Sequence, residues 1–128
     1  MSNSNSPSID RLALVAALVE LKMPISEAAR QLSNFPYDFA GEPFAMFGHH
    51  LRHALSCFLD GHISSAELKE WAEAIEFRDD MKVHGQSEEE ATFVARCLVY
   101  IANPELDDQN QIDAANRILS QLDAFGAR

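Results

Sequence analysis

The chain has 128 residues, of which ten are basic and twenty acidic, for a formal net charge of −10, and 47% of its side chains are hydrophobic. That is enough apolar material for one core, and five glycines with five prolines are too few for a low-complexity chain. Such acidity repels phosphate backbones, which excludes nucleic acid as the expected partner, and it draws in a basic protein at an enhanced rate.

The opening MSNSNSPS is polar and has no basic run before an apolar one, so it does not read as a signal peptide. Residues 1–7 are expected to form a disordered tail, and residues 8–126 a single helical domain. A first helix is expected from about Ser8 to Leu21, with Leu12, Val15, Ala16 and Val19 at helical spacing. Its apolar run is too short to span a bilayer. Lys22-Met23-Pro24 breaks it, and Ser26 is expected to cap a short second helix carrying Ala29 and Leu32 on one face. Met23–Leu32 resembles the first helix of helix-turn-helix regulators, but Asn34-Phe35-Pro36-Tyr37-Asp38-Phe39 follows where a basic recognition helix belongs. Phe35, Tyr37 and Phe39 are expected to pin that loop to the core.

Pro43 suits the first turn of a third helix. Phe44, Phe47, Leu51, Ala54, Leu55 and Phe58 would form its inner face, and Gly61 would end it in the left-handed conformation. His49, His53 and Cys57 are spaced four apart on the opposite face. Two imidazoles at that spacing can chelate zinc, so His49 and His53 are weak metal candidates. HHLRH lacks the glutamate base of a zinc protease, and no third ligand is evident, so solvent-facing histidines are the preferred reading.

Ser64-Ser65-Ala66-Glu67 is a capping box for a fourth helix, in which Leu68, Trp71, Ala72 and Ile75 form the inner stripe. Ile63-Ser64-Ser65-Ala66 echoes Ile25-Ser26-Glu27-Ala28, either as two similar hairpins or as the common grammar of capped helices. Asp79–Gln86 reads as a loop. Ser87-Glu88-Glu89-Glu90 caps a fifth helix with Phe93, Val94, Cys97, Leu98 and Ile101, which Asn103-Pro104 stops. Asp107 or Asp108 would cap a last helix with Ile112, Ala115, Ile118, Leu119 and Leu122 inward. No stretch alternates strongly enough to be a strand. The expected architecture is therefore all-α, a compact bundle-like domain of five to six helices.

Cys57 and Cys97 are too few for a disulfide framework and fit a reduced, cytoplasmic setting. There is no G-x-S-x-G, no glycine-rich phosphate loop and no Glu-x-x-His pair, so no enzyme activity and no cofactor are expected. The acidic fourth helix and its exit carry Glu70, Glu73, Glu76, Asp79 and Asp80. Trp71 belongs to the inner stripe, with its polar edge able to reach the rim, and together with these acids it forms the candidate partner-binding surface.

Phe58–Ala72, followed by Glu76-Phe77-Arg78-Asp79-Asp80, resembles a family of small helical bacterial proteins of largely unassigned function, which share G-x-I-S-x-x-E-L-x-x-W-A and a following R-D-D. Ile25–Ala28, Leu32–Pro36 and Ile101–Pro104 extend the likeness through most of residues 20–104. Where the family often has glycine before the arginine, this chain has Phe77. Size and acidity are also similar to those of immunity proteins, which neutralise a toxin of the same or a sibling cell. That likeness of size and acidity, an analogy and not a match of motifs, points to an immunity protein against a basic toxin domain; Trp71 and Arg78-Asp79-Asp80 are landmarks of the helical family without assigned roles. The alternative is a structural or regulatory helical protein acting as a homo-oligomer, such as a homodimer.

Overall fold

The computed structural model describes residues 7–36, 39, 41–76, 78–102 and 108–126. These form six helices and two short strands: α1 (Pro7–Val19), α2 (Ile25–Leu32), β1 (Phe44–Met46), α3 (Gly48–Leu59), α4 (Ser65–Ile75), β2 (Met81–Val83), α5 (Glu88–Ala102) and α6 (Asp108–Gly126). The fold class is all-α. Pro7 opens α1 rather than closing a tail, because its fixed φ and missing N–H cost nothing in a first helical turn. Residues 1–6 of the expected tail, the Asn103-Pro104 stop, the Asp107 cap, Tyr37 and Phe77 lie outside the described residues.

α4 is the centre of the packing and touches α1, α2, α3 and α5. Leu68, Trp71, Ala72 and Ile75 fall on one stripe of that helix and are all buried. Burial of each large aliphatic side chain there stabilises the fold by about 1.5–3 kcal/mol. The helix starts where the capping box predicts. Glu67 N–H donates to Ser64 Oγ at 3.1 Å, and Ser64 N–H donates to Glu67 Oε1 at 2.8 Å, so two orphan amides are satisfied reciprocally.

α1 and α3 end in the same hydrogen-bond pattern. Lys22 N–H reaches Ala17 C=O and His62 N–H reaches Cys57 C=O, both at 2.9 Å, around a left-handed residue. In α3 that residue is Gly61, with φ +83°, as the sequence implies; in α1 it is Leu21, with φ 58°. The echo between the two Ile-Ser segments does not extend to their caps. Ser26 lies inside α2, after Pro24 at the N-cap position, whereas Ser64 is itself the cap. The buried face of α2 is Ile25, Ala28 and Leu32, one position off the expected Ala29 stripe.

Pro43 does not begin α3. Phe44–Met46 instead pairs in parallel with Met81–Val83, in the register Phe44↔Met81, Ala45↔Lys82, Met46↔Val83. The ribbon is bracketed by two further bonds, Phe44 N–H to Asp80 C=O at 2.9 Å and His84 N–H to Met46 C=O at 2.8 Å. α3 therefore starts only at Gly48, and its buried face is His50, Leu51, Ala54 and Leu55. Phe47, expected in the core, is exposed, and Phe58 only flanks the core. Ile112 of α6 is likewise exposed, while Ala115, Ile118 and Leu122 face inward.

Candidate functional site

The outer face of α4 carries the expected acids, but only some of them. Glu73 and Asp79 are exposed, and Glu70 and Glu76 are half-buried. Lys69 Nζ holds Glu73 Oε2 at 2.7 Å one turn away. Glu76 Oε2 is shielded from water and has no hydrogen-bond partner among the described residues. Burial first, and then the neighbouring Glu73 charge, push the Glu76 carboxyl above its ordinary range.

Two members of the candidate surface belong to the interior. Trp71 is 0% exposed, and its indole Nε1–H donates to Leu18 C=O at 3.0 Å. A buried indole needs one acceptor, and an α1 carbonyl supplies it, so no polar edge reaches the rim. Asp80 is also 0% exposed. It accepts from Arg78 Nε at 2.8 Å on Oδ1, and from Arg78 Nη2 at 3.0 Å and Arg11 Nε at 2.6 Å on Oδ2. Burial alone would raise its pKa; the hydrogen bonds and charges of Arg78 and Arg11 outweigh burial and hold it below the usual aspartate value. Trp71 and Asp80 are therefore fold-determining residues and not contact residues, and a partner cannot touch either in the folded protein.

Arg11 extends this cluster. Its Nη2 also donates to Pro36 C=O, and its guanidinium lies over the rings of Phe35, at 5.7 Å, and Phe39, at 4.8 Å. The aromatic loop is thus pinned partly by a cation as well as by the core. Sequence reasoning missed Arg11, although one signal was present: it lies four residues before Val15 and seven before Leu18, on the buried stripe of α1.

A second grouping surrounds the β1–α3 junction. The exposed Phe47 ring lies 5.9 Å from His49 and 5.7 Å from His84, between centroids, and His49 lies 4.1 Å from His50. Beside it, a cleft of about 440 Å³ is walled by Phe47, His49, Arg52, Gln86 and Glu90. Gly85 lets the loop close on α5: a Cβ there would meet Ala91 N at 2.8 Å. His49 and His53 face solvent, and the sulfur of Cys57 lies 3.7 Å from His53 Nε2. Among the described residues, no three His, Cys, Asp or Glu side chains converge to hold a metal ion. Also among them, no helix is long and apolar enough to cross a membrane.

No protein-family model, curated protein or solved structure matches this chain.

Proposed function

We propose that this protein binds a basic protein partner through its acidic exterior, in the manner of an immunity protein occluding a toxin domain. The observation that carries this reading is where the cations go. Arg11 and Arg78 are buried on Asp80, and Lys22, Arg30, Arg52 and Lys69 each face an acid, at Glu20, Glu27, Asp123 and Glu73. Six of the ten basic residues therefore face an acid within the chain, while Asp79, Glu88 and Glu89 are exposed among the described residues. The field of such acids speeds encounter with a basic surface and is screened by salt over a Debye length of about 10 Å at 0.1 M.

Glu70, Glu73, Glu76 and Asp79 are the contact residues proposed, with Glu76 as the carboxylate that most needs a donor. The thiols of Cys57 and Cys97 are free, which fits a reducing cytoplasm. The test is association with a basic toxin domain encoded beside the gene, measured at low and high ionic strength. The on-rate should fall steeply with salt and fall again in an E73Q/E76Q/D79N variant. Salt-independent association, or unchanged affinity in that variant, defeats the proposal.

A second reading is a homodimer, favoured by large apolar side chains left exposed: Val99 and Tyr100 on α5, and Ile112 on α6. Light scattering of the purified chain decides it. A mass twice that of the 14.3 kDa chain supports the dimer.

A further inference from the structure

Phe47 and His50 are tied to one another twice. His50 N–H donates to Phe47 C=O at 3.0 Å, and Phe47 N–H donates to the His50 ring nitrogen Nδ1 at 2.9 Å. The second bond requires Nδ1 to be a bare acceptor, so the single ring proton sits on Nε2. That nitrogen faces Glu20 Oε2 at 3.8 Å, at the end of α1. The imidazole is buried, with Phe44 of β1 packed beside it at 5.6 Å and His49 at 4.1 Å.

We infer that His50 is an acid-sensitive latch, which closes the β1–α3 junction when neutral and releases it when protonated. A second ring proton can go only to Nδ1, where it meets the Phe47 N–H donor head on. Protonation therefore removes the cap that fixes the first turn of α3. It also places a charge in an apolar setting between Phe44 and a second imidazole.

The charged and titratable groups around it do not cancel this effect. Glu20 favours the charged ring, but Lys22 Nζ lies 3.4 Å from Glu20 and shares its charge. His49 and His53 on α3 disfavour it, and His84 after β2 reaches the cluster through the Phe47 ring. Burial and His49 together outweigh Glu20, and the ring titrates below its ordinary value of 6.5.

Release has a local consequence. Phe47 is 40% exposed and is held between His49 and His84, next to the cleft that contains Arg52 and Glu90. Opening the latch disorders that platform while leaving the α4–α5 core intact. The inference does not depend on the proposed partner, and its test uses the full chain alone.

The experiment is an NMR titration from pH 8 to 5, following the His50 imidazole nitrogens and the Phe47 amide together, with H50N as the comparison. The asparagine oxygen can accept the Phe47 N–H but does not titrate. In the native chain, the Phe47 amide should lose its hydrogen-bonded shift in the same transition in which His50 gains its proton, with a midpoint below 6.5. Over that interval the H50N amide should stay flat, and an H49Q variant should keep the Phe47 amide coupled to His50 with the midpoint moved up, because the charge that opposes His50 protonation is gone. A His50 midpoint at or above 6.5, or a Phe47 amide that does not follow it, overturns the inference even if H50N fails to fold.

Discussion

Arg11 Nε donates to Asp80 Oδ2 at 2.6 Å across 69 positions of sequence, and both side chains are removed from water. One carboxylate thereby joins the first helix to the segment that enters β2, with Arg78 as the second donor. Removing it leaves two guanidiniums buried without their shared anion. Asp80→Asn should destabilise the protein by about 3–5 kcal/mol, as for other broken buried ion pairs, measurable by urea unfolding.

The same carboxylate sets an acid limit. Its folded pKa lies below the ordinary value of 3.8, so its stabilisation is complete above that value and is lost as pH falls through the folded pKa. Circular dichroism below about pH 4 should show acid unfolding that is shallower in D80N, which has already lost the group.

Trp71, the single tryptophan, reports on the core and not on a surface. Its fluorescence should be blue-shifted, resist acrylamide quenching, and stay unchanged when a partner docks on α4. Trp71→Phe loses the bond to Leu18 C=O and some volume, and should cost about 1–3 kcal/mol.

The α3–α4 turn tests local rules. Ser64→Ala removes the acceptor for Glu67 N–H and should cost about 1 kcal/mol. Gly61→Ala forces a Cβ into a left-handed residue; nothing lies within 4 Å, so the cost of about 1–2 kcal/mol is conformational and not a clash.

Glu76 makes the opposite prediction. A carboxyl whose folded pKa is raised opposes folding above its ordinary value of 4.5, and this opposition fades as pH falls through the raised value. Glu76→Gln should therefore stabilise the free protein slightly at neutral pH while weakening partner binding. Glu73→Gln should bring the Glu76 titration back down, as seen by NMR.

The two thiols should separate kinetically. Burial raises Cys97 to about 11, whereas Cys57 is only partly covered and less strongly shifted, by burial and by Asp60. A thiol reagent at neutral pH should modify Cys57 slowly and Cys97 only on unfolding.

The helices most legible in the sequence are those whose signals are local. The α4 stripe, its Ser64–Glu67 box and the Gly61 turn all rest on residues within one or two turns of each other. β1 and β2 were not legible because each is three residues long, too short to show alternation, and their pairing partners are remote. Phe44 and Phe47 fit a helical stripe with Leu51 as well as they fit the strand and junction they form, and only Leu51 of the three lies on α3. Within the candidate surface, Glu73 and Asp79 could be placed outward from pattern alone. Asp80 could not, since an acid following an acidic helix looks solvated until Arg11 arrives from the far end of the chain.

A parallel ribbon demands that the chain travel back before it can pair. Met46 and Val83 become neighbours only once the α3–α4 hairpin between them has folded over on itself. The seam is thus expected to close late in folding, after the local helical contacts exist. Weakening it, for instance at Met81, should hasten unfolding far more than it slows refolding, and so shorten the lifetime of the native state in a stopped-flow experiment.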